Sequence, residues 1–263
     1  MIQAGLFTGT NLYRNSPEDN LRGCVPDSVQ MREWGQLTQG LTMDECAVLW
    51  DVETAKKDLT WGLDILVSNF NYLQRVFWSH SSHGTQVPGD EVDKFCGAIC
   101  CHDIKEDRAG WESATVLSEN ELRQIFAPLP LTCLLEIFLD CCFAGEFLRE
   151  LGRRHAAARY LPNPGLHEMV RPRHPFARLM EDRKGQDIVI WAACQENQTS
   201  ADAFLGGGWH GAFTWFFCKE YQPDMPRRVL LANIIKALRE AGYSQTPVLG
   251  CSEALRNLPV GVF

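Results

Sequence analysis

The sequence predicts an α/β fold with a mainly parallel central sheet of about six strands and helices on both faces, and three observations lead there. Residues 76–78 and, with Glu136 as the one polar exception, 134–139 are apolar runs, the pattern of strands buried on both faces. Such runs alternate along the chain with segments of helical period, and strand–helix alternation gives parallel pairing through crossovers. Both runs also break abruptly into polar residues and glycine, and the strand ends of open α/β folds are where chemistry is placed.

The elements follow in order. Residues 4–10 read as the first strand. Residues 27–35 open a helix with Asp27 as its N-cap. Residues 45–50 form a short strand, and 52–67 a long amphipathic helix with Leu59, Leu63 and Leu66 on one face. Residues 74–79 are a central strand, 120–126 a short helix, and 134–141 the second central strand. Residues 187–193 are the next buried strand. Residues 211–221 make an aromatic-rich helix and 228–241 another, stopped by Gly242. Residues 247–250 are the last strand.

One domain is expected over residues 1–263. Its first part is 1–148 and its last part 187–263. Between them, 149–186 breaks the alternation: Pro162, Pro164, Pro172 and Pro175 discourage regular structure. That connector carries nine Lys/Arg against four Asp/Glu, so with a net charge of −8 overall the remainder holds about −13. The acidic total argues against a nucleic-acid partner.

The chain of 263 residues is 45% hydrophobic and 10% aromatic, enough for a substantial core. No apolar stretch is long enough for a membrane span. The N-terminus lacks the basic region of a secretory signal. The eleven cysteines are odd in number and sit mostly in apolar segments, which fits reduced thiols and a cytoplasmic location. No phosphate loop, dinucleotide fingerprint or repeat is present.

The chemistry concentrates at two strand ends. Val76-Phe77-Trp78 leads into Ser79-His80-Ser81-Ser82-His83-Gly84. Ile137-Phe138-Leu139 leads into Asp140-Cys141-Cys142-Phe143-Ala144-Gly145. One strand delivers an imidazole and the other a thiol, the materials of a Cys-His dyad. A cysteine in an apolar run is by itself more often a core thiol. With His83, Gly84 and Gly145 alongside, Cys142 reads as the nucleophile, and side-chain alternation turns Cys141 into the core. His80 is the competing imidazole. Asp140 stands two residues before Cys142, so both side chains point the same way.

These residues resemble the caspase-fold peptidases, and most of all the metacaspase branch with its bacterial members. That branch carries Tyr-Ser-Gly-His-Gly and Asp-x-Cys-His-Ser-Gly where this chain has His80-Ser81-Ser82-His83-Gly84 and Asp140-Cys141-Cys142-Phe143-Ala144-Gly145. His83 and Cys142 are 59 positions apart, near the roughly 50 expected for caspases. Three further segments agree: Gly9-Thr10-Asn11-Leu12-Tyr13, Leu21-Arg22-Gly23-Cys24-Val25-Pro26-Asp27, and Ala193-Cys194-Gln195-Glu196-Asn197-Gln198-Thr199-Ser200-Ala201-Asp202. In order, the five segments cover nearly the whole chain.

The resemblance implies a caspase-like fold and a cysteine endopeptidase working through an acyl-enzyme. It implies His83 as base or ion-pair partner, and the backbone N–H groups of Gly84 and Cys142 as the oxyanion hole. Metacaspases line their primary specificity pocket with acids and cleave after Arg or Lys. The matching positions here are Cys24, Asp27, Ser81 and Asp140. The connector 149–186 lies where such chains join their large and small subunits. It offers cleavage candidates after Arg153, Arg154, Arg159, Arg178, Arg183 and Lys184, which makes a zymogen an expectation. Partners are then protein or peptide substrates with Arg or Lys at the cut, and a regulatory protein or upstream protease.

Departures from the pattern also count. Many metacaspases need calcium. The acidic positions of those relatives are occupied here by Cys96-Gly97, Glu119-Asn120 and Arg149, so six to eight oxygen ligands are not assembled and no cofactor is expected. The run Cys96, Cys100, Cys101, His102, Asp103 lacks zinc-site spacing, so no metal is expected there either. Two other readings stay open: a catalytically silent scaffold of the same fold, and a protease of the same fold with Asp specificity.

Overall fold

The computed structural model describes residues 2–68, 72–89, 95–143, 156–166, 179–180, 185–195 and 198–263. In chain order the strands are β1 (Gln3–Gly9), β2 (Cys46–Trp50), β3 (Arg75–Ser81), β4 (Gly84–Pro88), β5 (Phe95–Cys100), the short pair β6 (Glu106–Asp107) and β7 (Gly110–Trp111), β8 (Val116–Ser118), β9 (Leu134–Asp140), β10 (Ala156–Ala158), β11 (Ile188–Ala192), β12 (Ala201–Leu205), β13 (Gly208–Gly211) and β14 (Val248–Gly250). The helices are α1 (Cys24–Gln39), α2 (Lys56–Ser68), α3 (Glu119–Phe126), α4 (Ala212–Glu220), α5 (Arg227–Glu240) and α6 (Glu253–Arg256).

Six strands form the central sheet in the order β14-β11-β9-β3-β1-β2. All neighbours in it run parallel except β14, which pairs antiparallel with β11. Every residue of β1 and β9 is buried, as expected of central strands covered on both faces. Alternation along β9 divides its side chains. Leu135, Ile137, Leu139 and Cys141 enter one core with Leu59 and Leu63 of α2 and Leu122 and Phe126 of α3. Leu134 and Phe138 enter the other core, with Trp34 of α1, Phe217 of α4 and Leu230 of α5.

Glu136 breaks the apolar run on the second face, and its charge is met there. Arg227 grips both carboxylate oxygens at 2.9 Å, and the Trp191 indole and Gly261 N–H each donate at 2.9 Å. An uncompensated charge at such a place costs about 3–5 kcal/mol. The pair fixes the start of α5 and the C-terminal segment against the sheet.

Two features differ from the sequence expectation. Helix α1 begins at Cys24 with Gly23 at its N-cap position, so Asp27 lies inside the first turn and does not cap it. Its side chain is fully buried and turned to other work. Two three-stranded sheets, β4-β5-β8 and β10-β12-β13, flank the central one. Most of their strands are only three to five residues long, too short for a period to show in the sequence. No helix among the described residues is long and apolar enough to cross a membrane.

Candidate active site

The register of the two central strands assembles the site. β3 and β9 pair in parallel with Ser81 opposite Asp140, so the residues that follow each strand emerge side by side. His83 and Gly84 come from one, Cys142 from the other. The approach is close enough that a Cβ on Gly84 would collide with the Cys142 backbone, which requires glycine at that position.

His83 is held by three contacts. Its backbone N–H donates to the Tyr13 hydroxyl at 2.8 Å, and the two rings pack with centroids 5.2 Å apart. Its Nε2 lies 2.8 Å from the Asp19 carbonyl oxygen, an acceptor only. The ring proton therefore sits on Nε2, and Nδ1 is the basic nitrogen. Nδ1 is buried and has no hydrogen-bond partner among the described residues. Burial pushes the His83 pKa down to about 4, with the Asp19 carbonyl pulling it up and the Arg159 charge pulling it down. His80 has no such free nitrogen: Thr8 Oγ1 at 2.7 Å and Ser82 Oγ at 2.8 Å occupy both sides of its ring.

Cys142 is fully buried among Cys194 and Tyr160. The Ser200 backbone N–H points at its sulfur, and the Cys194 Sγ lies 3.4 Å away as a donor. That hydrogen bond and burial raise the Cys194 thiol well above its ordinary pKa. Cys141 packs into the opposite core.

The acids gather around one cation. The Arg159 guanidinium, wholly buried, lies 2.8 Å from Asp27, 3.2 Å from Asp140 and 2.8 Å from Asp202. Each carboxylate has its own anchors. The Ser81 hydroxyl and Gly211 N–H donate to Asp27 at 3.2 and 3.0 Å. Ser200 Oγ and both the N–H and hydroxyl of Thr214 donate to Asp140. The N–H groups of Arg22 and Gly23 donate to Asp202 at 3.0 and 2.9 Å. Burial lifts the Asp27 pKa to about 6, with Arg159 pulling it down. Burial also opposes the Arg159 charge, but the surrounding acidic groups overcome that and raise its pKa. Burial raises the neighbouring Cys24 thiol.

The main chain of Arg159 is equally engaged. Its carbonyl oxygen accepts from the N–H groups of both Gly84 and Cys142, each at 3.1 Å. Its own N–H donates to the Ser200 carbonyl at 3.0 Å, extending the antiparallel pairing of β10 with β12. Past it, the Leu161 N–H donates to the Gly84 carbonyl at 3.0 Å. The segment from Ala156 to Leu161 thus lies through the cleft as an added extended strand.

The structure therefore brings Asp27, Asp140, Cys24 and Ser81 together around Arg159, and places Gly84 and Cys142 N–H groups on one carbonyl. Arg159 is the one cleavage candidate among the described residues; Arg153, Arg154, Arg178, Arg183 and Lys184 lie outside them. Sequence reasoning missed Asp202 as the third carboxylate on Arg159, the Asp19 carbonyl on the His83 ring, and Cys194 beside Cys142. Asp202 and Cys194 sit in a segment already singled out. The Asp19 contact is a backbone one and has no sequence signal. Among the described residues, no group of three or more His, Cys, Asp or Glu is placed to hold a metal ion.

Comparison with known proteins gives a consistent picture. The crystal structure of a Geobacter sulfurreducens protein superposes with a TM-score of 0.65 at 17% identity, covering 100% of this chain and 99% of that one. Caspase-1 from Spodoptera frugiperda superposes with a TM-score of 0.60 at 12% identity, over 95% of this chain and 86% of its own. Metacaspase-1 of Coccidioides immitis is 23% identical over 95% of this chain, and metacaspase-1A of Aspergillus niger is 24% identical over 95%. This chain spans 61% of the first of these relatives and 70% of the second. The metacaspase peptidase C14 domain matches residues 4–150, more than half of the 263. The caspase fold, the paired strand ends and this match agree: the chain belongs to the metacaspase family of caspase-fold cysteine peptidases.

Proposed function

We propose that the chain is an endopeptidase that cuts after Arg or Lys with a Cys142–His83 dyad, and that its own Arg159–Tyr160 bond is a substrate. One observation carries this reading: Arg159 occupies a pocket of three carboxylates while its carbonyl oxygen sits between two backbone donors beside Cys142. A buried side chain and a polarised carbonyl on the same residue are what a protease asks of the residue before the cut.

In that reading the Cys142 sulfur attacks the Arg159 carbonyl carbon. Negative charge gathers on an oxygen already facing the Gly84 and Cys142 N–H groups, so little reorganisation is needed. Nδ1 of His83 takes the thiol proton and passes it to the Tyr160 nitrogen as the peptide bond breaks. Water then hydrolyses the thioester, with His83 again as base. The acids repel an aspartate in the same pocket, which favours basic over acidic specificity. The planar fork of arginine suits three carboxylates better than a lysine ammonium does. The reading needs no cofactor, nucleic acid or membrane.

Fluorogenic peptides ending in Arg or in Asp test it. Hydrolysis of the Arg peptide alone is expected, with nearly all activity lost in both Cys142→Ala and His83→Ala, as for members of one catalytic unit. Retention of more than a few per cent by Cys142→Ala would remove the thiol from the mechanism.

A further inference from the structure

Tyr160 and Leu161, beyond the bond that the reading above takes as cut, are seated as firmly as Arg159. Tyr160 is 4% exposed and packs on Cys142 and Cys194. Leu161 is 6% exposed and enters an apolar cluster with Tyr13, Leu21, Cys24, Val87 and Cys100. Their backbone follows β4: Tyr160 bridges Gly84 in parallel, and the Leu161 N–H donates to the Gly84 carbonyl at 3.0 Å. Asn163 ends the run, its side-chain amide donating to the Gln86 carbonyl at 2.8 Å. The wall behind is fixed by the Trp111 indole, which donates to Thr85 Oγ1 at 2.9 Å.

From this we infer that the enzyme reads its substrates on the leaving-group side, with an apolar pocket for the second residue after the cut and a ring-accepting site for the first. The inference rests on the proposal that Arg159–Tyr160 is a substrate bond. The pocket is built by residues of β4, β5, β8 and the segment from Tyr13 to Cys24, none of which belongs to the cleaved connector. Once the connector is cut and leaves, the cavity that held Leu161 is open to the corresponding residue of another chain. Backbone pairing along β4 orients any extended peptide, and the pocket selects among side chains at alternate positions, as in other strand-addition binding. The favoured class is an extended peptide of the form Arg-aromatic-aliphatic, cut after the arginine.

The test keeps the protein unaltered and varies the peptide. Internally quenched peptides of sequence Ala-Ala-Ala-Arg-Tyr-Leu-Pro-Asn are compared with versions carrying Gly, Asp or Ile in place of Leu, and with one carrying Asp in place of Arg. Replacing Leu by Gly or Asp should lower kcat/KM roughly ten- to hundredfold, the discrimination that apolar pockets give. Ile should be tolerated, and the Asp-for-Arg peptide should be inert. Equal kcat/KM for Leu, Gly and Asp peptides would overturn the pocket while leaving Arg cleavage intact. Failure to cut any of the Arg peptides would overturn the endopeptidase reading, and this inference with it.

Discussion

Substituting Arg159 by glutamine is the most direct test of whether the connector is a bound substrate. Glutamine keeps polarity and much of the length but removes the charge that faces Asp27, Asp140 and Asp202 at 2.8 to 3.2 Å. All four side chains are at most 2% exposed, so solvent cannot replace the lost cation. Leaving a buried charge without its partner costs about 3–5 kcal/mol. At about 1.36 kcal/mol per factor of ten, self-cleavage after position 159 should slow by roughly a hundred- to several-thousandfold. Arg159→Lys, which keeps the charge but not the fork, should fall between. The assay is a time course of the purified chain read by intact mass, with circular dichroism to confirm that the variant is folded. Wild type should yield Met1–Arg159 and Tyr160–Phe263, and Cys142→Ala neither. Cleavage of Arg159→Gln at the same bond at the wild-type rate would refute the argument. So would a first cut in wild type after Arg153, Arg154, Arg178, Arg183 or Lys184.

Two other outcomes are expected. Burial raises Asp27 to about 6 even beside Arg159, so this carboxyl gains a proton, and loses its pull on a guanidinium, as pH falls through that value. His83, lowered to about 4, stays largely neutral down to about pH 5. KM for an Arg peptide should therefore rise as pH drops from about 7 towards 5 while kcat holds; Asp27→Asn should start with the higher KM and show no such rise. A pH-independent KM in wild type would take Asp27 out of the pocket. EDTA should leave peptide hydrolysis largely intact, since the acidic positions of calcium-dependent relatives hold Cys96, Gly97 and Asn120 here; an absolute requirement for added calcium would contradict this.

Local pattern carried the central sheet and the residues at its strand ends. An apolar run interrupted only by Glu136 marks β9 from Leu134 to Leu139, because a strand covered on both faces has no reason to alternate. His83-Gly84 and Asp140-x-Cys142 follow their strands directly, so their placement at adjacent strand ends needed only the fold class. Even the antiparallel β14 was visible as a strand, though its direction was not.

What the sequence left undecided is long-range. Six basic residues of the connector looked alike as cleavage candidates, and composition could not rank them. At Arg159, the one candidate among the described residues, Asp27, Asp140 and Asp202 converge from a helix turn, a central strand and the β12–β13 hairpin. The Asp27 side chain reads locally as a helix cap; buried against a guanidinium from a position 132 residues away, it becomes part of a pocket. The tautomer of His83 likewise depends on a carbonyl 64 residues distant. Propensity and periodicity act over a few residues, whereas a charge in a low-dielectric interior is governed by whatever partner the folded chain brings within a few ångströms. The central strands and the positions of His83 and Cys142 at their ends were therefore legible in the sequence, whereas the two flanking sheets and the residue that fills the cleft were decided by the tertiary structure.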